Sequence, residues 1–341
     1  MTDIVEKPVQ RRSEASSTTR ANDVPVVDFA DCDQCTQYPN RWSGIREHIT
    51  APAAEFMGAF ILCLFGCGGN CQTNLSANKN VSASPQGVML VQRTALSSNI
   101  CWALGLSLGV WISANYSGGH VNPAVTIASA TVRGFPWKKV PIYILAQVLG
   151  ALCGAGVVYA TYYHAINIVE GGSNIRTIAA TGDLFGTYAA DYLTSVSAFF
   201  AEFIGAAMLL TGIFMATDKK NGPLPSGVLP LAIFFTVLAI SSSLGMDTGA
   251  ALNPARDLGP RILTAMVGYG REVFTFRNQY WLWCPILGPI FGMIMAALFY
   301  DAMLYKGPES IFNKPTEEAE RHHLRSCAQR TNGLRGVADS V

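Results

Sequence analysis

The stretch Gly118-Gly119-His120-Val121-Asn122-Pro123-Ala124-Val125-Thr126 returns, altered, as Gly249-Ala250-Ala251-Leu252-Asn253-Pro254-Ala255-Arg256-Asp257. Each copy follows a long apolar run. A second echo lies upstream of each: Ala54-Glu55-Phe56-Met57-Gly58-Ala59 in the first half, Ala201-Glu202-Phe203-Ile204-Gly205-Ala206 in the second. Asn is a strong N-cap, and proline at the first helical position loses no intrahelical bond, so each Asn-Pro-Ala opens a helix. The two helices so opened, about 122–131 and 253–264, are too short to cross a bilayer. A half-span helix is stable in hydrocarbon only where protein or a watery cavity satisfies its exposed backbone. Such a motif, duplicated within duplicated apolar runs, points to a transport site at a repeat interface.

The composition agrees. Of 341 residues, half are hydrophobic and 14% charged, against roughly 25% charged in a soluble protein. The net charge of +1 comes with no basic stripe, so nothing calls for a nucleic-acid partner. Six stretches have spanning length: 51–69, 94–114, 140–165, 193–216, 224–245 and 281–304. A soluble protein with six buried runs of this length is the weaker reading. Six spans put both termini on one side. Seventeen of the 24 basic residues fall in the tails and in the loops carrying Arg133, Lys138, Lys139, Lys219 and Lys220, which assigns that side to the cytoplasm. The expected organisation is a disordered cytoplasmic tail (1–50), a channel domain (51–304) and a cytoplasmic C-terminal tail (305–341). No cleavable leader is visible, because the first 50 residues have no apolar core. Cysteines add little. Cys32 and Cys35 form one C-x-x-C, half of a four-ligand zinc site. No metal, cofactor or catalytic constellation is expected.

Folded inward from opposite faces, the half-helices meet near the midplane with their amino ends facing. Those ends carry partial positive charge. Asn122 and Asn253 then donate toward the lumen, and cations, including hydronium, are repelled. The backbone leading in, Gly118 to His120 and Gly249 to Ala251, offers carbonyl oxygens as a ladder of acceptors. Glu55 and Glu202 read as the acids well inside a span. Symmetric placement favours bracing of loop amides over a proton relay. If so, glutamine should replace either one mildly, since its amide oxygen still accepts.

These features resemble the major intrinsic protein family, the aquaporins and aquaglyceroporins. The resemblance covers roughly residues 51–304 and rests on both Asn-Pro-Ala motifs, both Ala-Glu-Phe echoes and the six-span count. It implies an all-α membrane fold of six helices plus two re-entrant half-helices in an inverted repeat, assembled as a homotetramer with one pore per subunit. By offset from the motifs, the family's external constriction falls on Trp102, Ser241, Ala250 and Arg256. Ser241 and Ala250 are small, where water-selective members resemble one another in having His at the Ser241 position. Asp257, Arg261 and Pro285-Ile286 also resemble the glycerol-conducting branch. Asp257 and Arg261 read equally as a charge pair at the pore mouth. Bacterial-type glycerol channels carry a second aromatic where Ala250 sits, which implies a looser ring here. The expected function is passive passage of glycerol, other small uncharged solutes and water, in a bilayer, most simply the plasma membrane. Long polar tails suggest a eukaryotic, fungal member.

The rivals are a water-only channel, a coupled secondary transporter and a closed junction protein. His120 is expected to line the inner vestibule and fix the first loop. Asn74-Leu75-Ser76 and Asn80-Val81-Ser82 are possible glycosylation acceptors. Tyr38 to Trp42 is an aromatic cluster that either anchors the first span or plugs the pore mouth.

Overall fold

The computed structural model describes residues 40–82, 94–221, 224–225 and 227–326. The expectations for most of the N-terminal tail, including Cys32, Cys35 and Tyr38, and for 327–341 lie outside the described residues. So does much of the loop before Thr94. Compact packing divides the chain into Met1–Glu47 and His48–Val341, and the packing discussed below belongs to the second unit.

The described residues form helices and no strand. In chain order the main ones are α1 (Arg41–Ser76), α2 (Ala95–Ser117), α3 (Pro123–Val132), α4 (Val140–Glu170), α5 (Ser195–Thr217), α6 (Leu229–Leu244), α7 (Pro254–Thr264) and α8 (Gly288–Met303). α8 continues a π-turn at Trp283–Leu287 and a short helix at Tyr280–Leu282, giving an apolar span Tyr280–Met303. Among the described residues, five helices are long and apolar enough to cross a membrane. α3 and α7 are the half-length helices, with 10 and 11 residues.

Helix boundaries depart from the hydropathy reading in three places. α1 begins at Arg41 rather than near residue 51, because a polar helical extension is invisible to an apolar window. It also runs on to Ser76, which places Asn74 on the helix and leaves Leu75 and Ser76 buried. α6 has only 16 residues, against the 22 expected, because Gly227 adopts φ +87° and α6 starts only at Leu229, with Pro230 in its first turn. At 1.5 Å per residue it spans about 24 Å, short of the roughly 30 Å hydrocarbon core.

The two halves pack by the same device. A Cβ on Gly150 of α4 would sit 2.1 Å from the carbonyl oxygen of Phe56; one on Gly292 of α8 would sit 2.1 Å from that of Phe203. Only glycine permits these approaches. Phe56 and Phe203 directly follow Glu55 and Glu202, so each contact seats an intramembrane carboxylate against its half-helix.

Asp301, near the end of the last span, is a further buried acid that the sequence reading did not count among intramembrane groups. Its carboxylate takes a two-pronged bond from Arg133, which ends α3, at 2.5–3.0 Å. The guanidinium lies between the rings of Phe214, 4.1 Å away, and Tyr305, 3.6 Å away. This cluster ties α3 to the ends of α5 and α8.

Candidate functional site

Each motif asparagine is an N-cap. Asn122 Oδ1 accepts from the Ala124 amide at 2.8 Å; Asn253 Oδ1 accepts from Ala255 at 2.9 Å and Arg256 at 3.3 Å. Pro123 and Pro254 occupy the first helical position, where no amide is needed. Ala124 and Ala255 are fully buried. The Nδ2 groups cross the repeat axis: Asn122 donates to the Leu252 carbonyl at 3.0 Å, and Asn253 to the Val121 carbonyl at 2.8 Å. A carboxamide nitrogen has two N–H bonds. One on each asparagine thus braces the opposite loop, a use that the sequence reading did not foresee.

The residue before each asparagine is strained. Val121 has φ +51° and Leu252 φ +54°. A left-handed conformation costs a non-glycine residue roughly 1–2 kcal/mol. Buried carboxylates hold both turns. Glu55 accepts from the amides of His120 (2.9 Å) and Val121 (2.6 Å), and from Ser117 Oγ and Gln147 Nε2. Glu202 accepts from the amides of Ala251 (2.9 Å) and Leu252 (2.8 Å), and from Thr248 Oγ1. Both glutamates are inaccessible to solvent. Ser117 and Thr248 each stand five residues before their asparagine. That shared offset was a usable signal, and sequence reasoning passed over it.

His120 Nδ1 lies 3.1 Å from Thr126 Oγ1, and its ring packs on Phe135 and Tyr143. Gly118 and Gly119 carry φ of +92° and +67°.

One cavity of about 530 Å³ contains the four constriction candidates, Trp102, Ser241, Ala250 and Arg256. Gly249, Ala251 and Asn253 line it too; Gly118, Gly119, His120 and Asn122 lie outside it. Arg256 is 5% exposed. Its guanidinium carbon sits 3.9 Å above the Trp102 ring. Nη2 makes a long bond, 3.4 Å, to the Gly249 carbonyl, and Nη1 has no partner among the described residues. That N–H is shut off from solvent, and the Nη2 end, held by its long bond alone, is the part of the fork with a donor to spare. The Tyr188 hydroxyl at the cavity wall is also unpartnered. Burial pushes this phenol up to about 12, so it stays neutral.

Asp257 and Arg261 do form a charge pair, and it is buried. Asp257 lies 2.7 Å from Arg261 Nε, and Thr187 donates to it through both amide and hydroxyl. Arg261 in turn donates to the carbonyls of Val273 and Thr187. The pair closes the segment around Thr187 over α7. Its burial follows from that loop folding back, which local sequence does not encode.

The family model described as "Major intrinsic protein" matches residues 43–300. A protein named Aquaporin-6 from Laccaria bicolor is 54% identical over 83% of this chain and 88% of its own length. "Aquaglycerol porin AQY3" of Saccharomyces cerevisiae is 40% identical over 92% of this chain and 46% of its own length. The X-ray structure of the aquaglyceroporin from Plasmodium falciparum superposes with a TM-score of 0.64 at 30% identity, covering 75% of this chain and 97% of that one. With a duplicated, cross-braced Asn-Pro-Ala site on inverted helical halves and these relatives, the chain belongs to the major intrinsic protein family of integral membrane channels.

Proposed function

We propose that this chain is a passive channel for glycerol and other small uncharged solutes, water included, that excludes protons and ions. The observation that carries this is one cavity lined by four unlike residues. Trp102 presents an apolar edge, Arg256 presents a guanidinium whose Nη2 is only weakly engaged, and Ser241 and Ala250 leave the remaining walls small. A polyol has one edge of C–H groups and one of hydroxyls, and fits such a hole better than water alone needs. The names of the yeast and Plasmodium relatives point the same way.

Exclusion of cations has two sources in this reading. The amino ends of α3 and α7 face each other and carry partial positive charge, and Arg256 adds a full one. Each half-helix is pinned by a carboxylate whose two oxygens are occupied by donors, so neither Glu55 nor Glu202 is free to pass a proton along the pore. The carbonyls of Gly118, Gly119, His120, Gly249 and Ala251 supply acceptors along the path, on either side of Asn122 and Asn253. A homotetramer in the plasma membrane with cytoplasmic termini completes the proposal.

The test is stopped-flow light scattering on proteoliposomes. Glycerol permeability well above protein-free vesicles, independent of an imposed proton gradient, is expected. Water permeability without glycerol permeability would instead establish a water-selective channel. Proton-driven glycerol accumulation would establish a coupled transporter.

A further inference from the structure

We propose that Asn70 is a positioning residue for solute selection: it fixes the orientation of the Trp102 indole and so sets which solutes pass. The proposal rests on the reading of Trp102, Ser241, Ala250 and Arg256 as the selectivity ring.

Trp102 is seated by two residues of α1 one turn apart. At Gly66 the indole lies directly on the helix backbone; a Cβ there would meet Trp102 Cε3 at 2.1 Å. At Asn70 the side chain reaches the edge of the same indole. Its Oδ1 accepts from Trp102 Nε1 at 3.0 Å and from Ser98 Oγ at 2.5 Å. Its Nδ2 donates to the Leu184 carbonyl at 3.3 Å and, more weakly, to that of Asp183 at 3.5 Å. The amide cannot be turned round. An indole nitrogen only donates, so a flipped Asn70 would set N–H against N–H and face its oxygen to two carbonyls.

One side chain thus links α1, α2 and the loop around Leu184, and it lines the same cavity as the ring. The opposite face of the indole carries the Arg256 guanidinium at 3.9 Å. Gly66 fixes the plane of the indole, and Asn70 selects which of the two flipped orientations about the Cβ–Cγ bond is held. Tryptophan has one N–H, so one acceptor decides which edge faces the lumen. Without it the indole can rotate, the apolar wall opposite Ser241 shifts, and Arg256 loses its platform.

The experiment measures glycerol, erythritol and water permeability per copy in proteoliposomes of the full chain. The variants are Asn70→Leu, Trp102→Phe, the two combined, and Trp102→Ala. Asn70→Leu should lower the glycerol-to-erythritol ratio about fivefold, the factor that one ordinary hydrogen bond makes in the seated population. A merely structural role would reduce all three permeabilities together and leave the ratio unchanged. In the Trp102→Phe background, which lacks the indole N–H, Asn70→Leu should move the ratio less than about twofold. If Asn70→Leu does not assemble, Asn70→Ser, too short to reach the indole, carries the same expectation. An unchanged ratio in assembled protein, or an equal change in both backgrounds, overturns the proposal. Trp102→Ala separates the two readings. If it leaves the ratio unaltered, the ring assignment fails; if it shifts the ratio and Asn70→Leu does not, only the role of Asn70 fails.

Discussion

The side chain of Asn122 donates to the backbone carbonyl of Leu252 across the repeat interface, at 3.0 Å. Asn253 returns the bond to Val121 at 2.8 Å. Each asparagine therefore caps its own half-helix through oxygen and anchors the other loop through nitrogen. Exchange for aspartate separates the two duties. Asn122→Asp keeps the capping oxygen and removes the crossing donor, leaving the buried Leu252 carbonyl without it. The expected loss is about 1–3 kcal/mol, read as a lower melting temperature in detergent. Asn122→Ala removes the cap as well, at about 1 kcal/mol more. Equal melting temperatures for wild type and Asn122→Asp would show that the cross-brace contributes nothing.

The glutamates give a prediction that differs from the sequence-based one. Glutamine looked mild as a replacement because one oxygen remains. In the structure both oxygens of each carboxylate accept a backbone amide: His120 and Val121 for Glu55, Ala251 and Leu252 for Glu202. A glutamine must set its NH2 against one of those donors. Glu55→Gln and Glu202→Gln should each cost about 1–3 kcal/mol, and alanine at either site more. Thermal unfolding of the four variants checks this, and a glutamine variant as stable as wild type contradicts it.

The half-helices were legible because their signals are local. An N-cap followed by proline needs no tertiary knowledge, and the apolar runs around it mark the spans. The exact ends of α1 were not legible. Its first turns, Arg41-Trp42-Ser43-Gly44-Ile45-Arg46, are polar and helical, and hydropathy sees only the apolar part. The constriction candidates came from offsets alone, and the structure brings all four to one cavity. What no offset could supply was their support. Asn70 meets Trp102 from 32 positions away, and Asp301 meets Arg133 from 168 away. Such pairs depend on helix register and crossing, which a single chain does not state. Ser117 and Thr248 are the exception, since the repeat itself marked them.

Bulk in the ring tests selectivity. Ser241→His with Ala250→Phe should cut glycerol flux far more than water flux, since both residues line the cavity that contains Arg256. Ala250 already has φ +48°, so phenylalanine there retains a strained backbone and a modestly lower melting temperature is expected too. Normalising flux to assembled protein removes that effect. An equal fall in both fluxes would place the constriction elsewhere.

Arg133 and Asp301 test how the C-terminal end of α3 is held. Asp301 is inaccessible, and the Arg133 side chain is 16% exposed, so Asp301→Ala strands a guanidinium between two rings. Breaking a buried pair from one side costs about 3–5 kcal/mol, here reduced by the exposure of Arg133. Replacing both, Arg133→Met with Asp301→Leu, should recover much of the loss, because neither charge is then left alone. Thermal unfolding of the single and double variants measures the difference. A double variant no better than Asp301→Ala would mean that packing, not charge pairing, dominates.

Arg256 should control ion leak more than solute flux. Its charge is buried, its Nη1 is unpartnered, and among the described residues its side chain makes just the long bond to the Gly249 carbonyl. A cation passing about 4 Å away meets a barrier between about 1 kcal/mol if the pore is fully wet and about 4 kcal/mol at an effective dielectric of 20. Arg256→Val should therefore raise proton leak by at least about fivefold, and by several hundredfold at an effective dielectric of about 20. The half-helix ends remain, so the variant should still fall short of an ion channel. Glycerol flux should change less than leak, because Trp102 keeps its seat on Gly66 and Asn70. A pH-sensitive dye inside proteoliposomes gives leak, and light scattering gives flux on the same preparation. Arg256→Lys provides the control: it keeps the charge and loses the planar fork, so leak should stay low while glycerol flux falls. If an assembled Arg256→Val protein leaks no more than wild type, the barrier to cations lies in the half-helices alone.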